Sequence, residues 1–131
     1  MTIPSGGHIL VVDDDADSRR ILDEYLSWTG YEVWTAENAE KALRLMRERC
    51  PAAVVVDVRM PRMSGVELVR IVRADAELRR VPVVAVSAYA DSDPDLEREL
   101  EEAGADACVA KPPALQELVH TLGALIARGA A

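Results

Sequence analysis

Two kinds of hydrophobic pattern alternate along this chain. Short apolar runs rich in β-branched residues lie at His8 to Val12, Glu32 to Thr35, Ala53 to Val56, Val81 to Val86 and Ala107 to Ala110, and each predicts a strand. The stretches between and after them carry apolar residues at helical spacing. Ile21, Leu22, Tyr25 and Leu26 form the first apolar face, and Ala39, Ala42, Leu43 and Met46 the second. Leu68, Ile71 and Val72 mark the third, and Leu96, Leu100 and Ala103 the fourth. The fifth runs through Leu115, Leu118, Val119, Leu122, Leu125 and Ile126.

Three strands (ILVV, AVVV and VVAV) are apolar throughout rather than alternating, as expected of parallel strands covered on both faces. Gly30 and Gly104 stand where the first and fourth helices should end, and Pro113 suits the first turn of the fifth. Five β–α units follow one another without repeat, linker or low-complexity segment. Such alternation implies an α/β fold of three layers, an open parallel sheet with helices on both sides. The expectation is a single domain over residues 1–131 with its core at about 8–126.

Composition narrows the possibilities. Half the residues are apolar and 29% are charged, the balance of a soluble globular domain. No apolar run approaches the roughly 20 residues a membrane helix needs. Met1 to Gly7 lack the basic start and apolar stretch of a signal peptide, so a cytoplasmic location is expected, with no membrane partner. Cys50 and Cys108 have no metal-motif spacing and read as reduced thiols, and His8 and His120 have no ligand partners nearby in sequence. A formal net charge of −8 argues against direct nucleic-acid binding. It also fits a protein that holds a divalent cation.

In open parallel sheets ligands bind beyond the C-terminal ends of the strands, where strand order reverses. Asp13 and Asp14 follow the first run, Thr35 and Ala36 close the second, and Asp57 follows the third. Ser87 and Ala88 follow the fourth, and Lys111 the fifth. Three carboxylates at one edge repel, and need a cation to stay ionised at neutral pH. Oxygen ligands of this kind suit Mg²⁺, which keeps several waters and usually completes its shell with phosphate. Lys111 would bring a second positive charge and Ser87 a neutral donor. Together the set describes a site for a phosphoryl group, with a carboxylate available as nucleophile.

Four segments carry a family resemblance: VVDD (Val11 to Asp14), VVVDVRMPRMSG (Val54 to Gly65), VVAVSA (Val83 to Ala88) and GADACVAKP (Gly104 to Pro112). Through them the chain resembles the receiver domain of bacterial two-component response regulators, from about His8 to Ile126. The resemblance implies a doubly wound (βα)5 flavodoxin-like sandwich with strand order 2-1-3-4-5. It implies Asp57 as phospho-acceptor, with Mg²⁺ held directly by Asp14, Asp57 and the backbone carbonyl of Arg59, and by Asp13 through water. Ser87 takes the place of a switch hydroxyl, Lys111 would contact the phosphoryl group, and the Lys111–Pro112 peptide would be cis. The implied donor is a phosphohistidine on a sensor histidine kinase or a histidine phosphotransfer protein. It would dock on the first helix, around Arg19, Arg20, Glu24 and Trp28. The acyl phosphate would pull Ser87 inward and switch a distal face that binds an effector protein, or acts on an output domain outside this chain. Such a domain is no enzyme in the ordinary sense, since it catalyses only its own phosphorylation and dephosphorylation.

The chain departs from the family pattern in three places. Cys108 stands where an aromatic switch residue is common, so the usual ring movement cannot operate. Arg59 and Tyr89, each two residues beyond a site residue, would overhang the acceptor and slow hydrolysis. From Asp91 to Glu102 seven acids face the single Arg98, and the last helix offers only Arg128. This run reads first as a solvated face and second as an acidic docking surface.

Within DDDADSRR, Asp15 is expected to face solvent and Asp17 to cap the first helix. One rival reading is a pseudo-receiver that keeps the fold but acts only as a binding module, disfavoured because all five site positions carry competent groups. The other is a phosphatase of the haloacid dehalogenase type, with Asp13-x-Asp15 as its nucleophile motif. It lacks the acidic pair that should follow the lysine, since only Glu117 lies beyond Lys111.

Overall fold

The computed structural model describes residues 8–60, 62–88, 94–111 and 115–130. Among them strands and helices alternate: β1 (His8–Val12), α1 (Ala16–Trp28), β2 (Glu32–Ala36), α2 (Ala39–Glu48) and β3 (Ala53–Asp57). There follow α3 (Gly65–Ala74), β4 (Val83–Ala88), α4 (Pro94–Ala103), β5 (Ala107–Lys111) and α5 (Leu115–Ala130). All four neighbouring strand pairs are parallel, and the sheet order is β2-β1-β3-β4-β5. The chain therefore reverses direction of winding at β1, between β2 and β3. The C-terminal ends of β1 and β3 lie side by side at that switch point.

Why these strands are apolar at every position is visible in the two cores. Leu10, Val12, Val54 and Val56 point to one face, where they pack with Ala39 and Met46 of α2, Leu68 and Val72 of α3 and Leu100 of α4. Their neighbours Ile9, Val11 and Val55 point to the other, against Leu22 and Leu26 of α1 and Leu118 and Leu122 of α5. Successive strand residues alternate faces, and both faces are dry, so no position is left for a polar side chain. Each fully buried aliphatic side chain contributes about 1.5–3 kcal/mol relative to exposure.

The helix ends follow the expected punctuation. Gly30 and Gly104 take positive φ, 111° and 112°. That conformation lets the amides of Tyr31 and Ala105 reach back to the carbonyls of Leu26 and Leu100.

Three expectations are corrected. Ile21 is 52% exposed and not part of the buried face of α1, which narrows to Leu22 and Leu26. β4 begins at Val83 rather than Val81, because the Val81 amide closes a turn onto Leu78 and Pro82 has no N–H to give a ladder. Asp15, not Asp17, is the N-cap of α1: its backbone is extended and its carboxylate accepts from the Ser18 amide. Asp17 lies inside the first turn, where its charge still complements the helix dipole.

Candidate functional site

Asp13 leaves β1 with the ladder continuing one step further, its amide donating to the Ala36 carbonyl at 3.1 Å. That register turns its side chain inward, and Asp13 is 1% exposed. One carboxylate oxygen accepts from the Asp15 amide at 2.9 Å. Its backbone carbonyl accepts from the Arg19 guanidinium at 2.7 Å, so α1 is tied to the loop that carries the acids. Asp14 is exposed. Asp57 is the last residue of β3 and half-buried, and its Oδ1 accepts from the Arg59 amide at 3.3 Å.

These three carboxylates converge. Oxygens of Asp13, Asp14 and Asp57 all lie within 4.8 Å of one another. Opposite oxygens around Mg²⁺ stand about 4.2 Å apart. The donor set therefore fits a hard divalent cation in size and chemistry, with room for one carboxylate to act through water. Like charges this close oppose one another, and a bound cation would relieve that repulsion.

The other residues arrive at the same edge through the sheet. Asp57 pairs with Val86 across β3 and β4, so the next residue, Ser87, stands one step closer to the edge. Ser87 is 3% exposed, and with Asp13 it is one of the two buried polar residues described. Its register partner on β5 is Ala110, and that of Ala88 is Lys111, which ends β5. Lys111 is placed by its backbone. The Lys111–Pro112 peptide, Pro113, Tyr89, Asp91 and Asp93 lie outside the described residues.

Cys108 on β5 sits beside the hydroxyl, its Sγ 3.9 Å from Ser87 Oγ. Burial raises the thiol pKa, the Ser87 hydrogen bond lowers it and the charge of Glu97 raises it again. Both cysteines are unpaired thiols.

Gly65 ends the VVVDVRMPRMSG segment, but the sequence alone assigns it no structural role. It opens α3 behind a capping box in which Ser64 and Glu67 satisfy each other's amides. Its amide donates to the Val58 carbonyl at 2.9 Å, which brings α3 against the strand end. A Cβ at this position would stand 2.7 Å from the Asp57 carbonyl oxygen. The available signal was a glycine directly after a helix-capping serine, a few residues beyond the strand that ends at Asp57.

Other expected residues divide. Arg20, Glu24 and Trp28 are exposed on α1, but Arg19 is half-buried and engaged by Asp13. His8 bonds Glu32 at 2.7 Å and stacks beside Trp34 on the far end of the sheet. On α4, Asp95, Glu97, Glu99, Glu101 and Glu102 are exposed, and Arg98 pairs with Asp95. Asp15 serves as a helix cap, and its carboxylate is not part of the described cluster of Asp13, Asp14 and Asp57.

A doubly wound parallel sheet with an acidic trio at its switch point defines a class of α/β domains. Comparison with known proteins places the chain within that class. Residues 9–123 match the family model for the response regulator receiver domain, and the chain belongs to that family. It is 38% identical over 120 residues to a probable transcriptional regulator, ycf27, of Porphyra purpurea, covering 92% of this chain and 47% of that protein. The chain thus spans about half the length of the ycf27 relatives it matches. It is 31% identical over 114 residues to the polar-differentiation response regulator DivK of Brucella anthropi, covering 87% of this chain and 91% of that one. A crystal structure of a putative response regulator from Chloroflexus aurantiacus superposes with a TM-score of 0.88 at 32% identity, over 94% of this chain and 99% of that one. The chemotaxis protein CheY4 of Vibrio cholerae gives 0.85 at 28%, over 92% and 99%. Receiver domains are signalling modules of two-component systems. No described helix is long and apolar enough to cross a membrane.

Proposed function

We propose that the chain accepts a phosphoryl group on Asp57 and relays that event by changing what its surface binds. The observation that carries this reading is the convergence of Asp13, Asp14 and Asp57 within 4.8 Å at the switch point. Of the three, Asp57 ends a central strand and is half-buried, so its carboxylate is fixed in direction yet reachable. Asp14, Asp57 and the Arg59 backbone carbonyl would hold Mg²⁺ directly, and Asp13 would hold it through water. Bound there, Mg²⁺ would offset charge on the phosphoryl oxygens and lower the repulsion an incoming phosphate meets.

The residues themselves do the remaining work. The Asp57 carboxylate oxygen attacks phosphorus in line while the phosphohistidine nitrogen of the partner leaves, giving an acyl phosphate and a histidine that takes up a proton. Lys111 pairs with a phosphoryl oxygen, and Ser87 donates its hydroxyl to another. Ser87 would exchange its present contact with Cys108 for that bond, which couples acceptance to the β4–β5 side of the site. Donors are a sensor histidine kinase or histidine phosphotransfer protein, docking at the exposed α1 residues Arg20, Glu24 and Trp28. The readout is a partner protein, or an output domain beyond this chain.

Incubation with acetyl phosphate and Mg²⁺, read by intact mass, tests the assignment. The expected result is one added phosphoryl group that is alkali-labile, requires Mg²⁺ and is lost in Asp57→Ala. Retention of the label in that variant, or turnover of phosphate esters in its absence, would overturn it.

A further inference from the structure

At the opposite edge of the sheet the charge reverses. An open cleft of about 380 Å³ lies where the chain enters β4 and β5, between the C-terminal ends of α3 and α5. Arg73, Arg79, Arg80 and Arg128 line it, with Asp106 as the sole acid in the lining. Four arginines against one aspartate is a marked concentration in a chain whose net charge is −8.

Two of these five charges are already committed to each other. Arg73 Nη2 holds Asp106 Oδ2 at 2.8 Å. The rest of its guanidinium donates to the carbonyls of Gly104, Arg79 and Val81. Asp106 also accepts from the Val83 amide at 2.8 Å. The cleft's one carboxylate is therefore neutralised by its neighbour. Arg79, Arg80 and Arg128 are exposed, and among the described residues no carboxylate lies within ion-pair distance of them. Three exposed arginines from two separate parts of the chain thus line one concavity, with no described carboxylate paired to them.

Pro82 and Leu125 are the two apolar residues of a mainly polar lining, Pro82 half-buried and Leu125 buried. Guanidinium forks match phosphate oxygens in pairs, which ammonium groups cannot do. A volume of this order suits a ligand of nucleotide size. Charge argues for a compact anion over an extended one. At physiological salt, fields decay over about 8 Å, so a small ligand senses the arginines while a long polyanion would also meet the acidic remainder.

We propose that this cleft binds a small phosphate-bearing molecule of nucleotide size, with its phosphates on Arg79, Arg80 and Arg128 and its ring against Pro82 and Leu125. The site is independent of Asp57 chemistry, since it lies at the N-terminal ends of β4 and β5, while Asp57 and Ser87 stand at the C-terminal side.

Calorimetric titration of the full chain with ADP, pyrophosphate and hexaglutamate tests this, in EDTA so that the carboxylate cluster contributes no metal-mediated phosphate binding. ADP and pyrophosphate should bind, ADP the tighter of the two, with affinity falling as KCl is raised. Arg79→Gln/Arg80→Gln should weaken ADP by about tenfold or more, equivalent to 1.4 kcal/mol. Arg128→Gln, on a different element, should weaken it independently, with acetyl-phosphate labelling of both variants unchanged. No heat with either phosphate, undiminished binding in both variants, or hexaglutamate binding as tightly as ADP would each overturn the proposal.

Discussion

Gly65 lies against the backbone of Asp57 with no room for a side chain. A Cβ at position 65 would stand 2.7 Å from the Asp57 carbonyl oxygen and 2.9 Å from Val58 Cα. The close approach is held by the Gly65 amide on the Val58 carbonyl and by the capping box behind it. Backbone atoms on a central strand cannot yield as a flexible side chain would. Gly65→Ala should therefore push α3 off the strand end and cost about 1–3 kcal/mol in urea denaturation. Asp57 should also label more slowly with acetyl phosphate, since its carboxylate loses its fixed direction. Normal stability with normal labelling would show that the contact is soft.

The carboxylate cluster makes a prediction whose sign depends on the cation. Asp14 is the exposed member, so its replacement disturbs the least packing. Without metal, Asp14→Asn removes one of three charges that oppose each other within 4.8 Å. It should stabilise the protein by about 1 kcal/mol, or about 3 °C in melting temperature. With saturating Mg²⁺ the order should reverse, because the wild type gains binding energy that the variant has lost. Melting in EDTA and in Mg²⁺ measures both signs at once.

The two halves of the site differ in how far sequence revealed them. β1, β3 and β4 were readable because both faces of the sheet are dry, so Ile9 to Val12 and Val54 to Val56 could carry nothing polar. Once those strands are parallel, the residues ending them must share an edge, and Asp13, Asp14, Asp57 and Ser87 do. Within DDDADSRR the division was only partly legible. Which acid caps α1 depends on the residue at which the chain turns from extended to helical, and that residue is Asp15. Ile21 adjoins Leu22 in sequence yet is 52% exposed, and the buried residues of α1 are Leu22 and Leu26. Contacts between distant segments left no local trace at all. Arg73 reaches Gly104 across 31 positions, and no periodicity marks it.

That Arg73 contact is itself a stability element. One guanidinium satisfies three backbone carbonyls and Asp106, joining α3, the connection into β4 and the start of β5. Arg73→Ala should cost about 2–4 kcal/mol in urea denaturation, since it orphans part-buried acceptors and leaves Asp106 without its cation. Arg73→Lys should recover little, because one ammonium cannot span acceptors set for a planar fork. Gly104→Ala should fail by a related route. Its Cβ would meet Arg73 Cγ at 2.6 Å, and its φ of +112° disfavours any side chain. Full rescue by lysine would show that charge, not geometry, is what Arg73 supplies.

Partial burial pushes the Cys108 thiol up from its ordinary pKa although the residue is exposed, the Ser87 hydrogen bond acting against this and the Glu97 charge adding to it. Cys50 is raised by burial as well. A folded-state value above the unfolded one means that the neutral thiol is favoured by folding. The associated stability is complete below the unfolded thiol pKa, and is lost as pH climbs through the folded value. Both thiols are exposed, so solvent screening keeps this contribution small. Melting temperature should fall slightly from about pH 9 upward, and fall less in Cys108→Ser. The causes can be separated by the rate of iodoacetamide alkylation against pH, in a Cys50→Ser background so that one thiol reports. Glu97→Gln should move the midpoint down by removing a charge that opposes the thiolate. Ser87→Ala should move it up by removing the hydrogen bond that supports it. Identical midpoints in all three proteins would mean that Cys108 senses neither neighbour. It would then be unable to report the Ser87 movement on which the proposed switch depends.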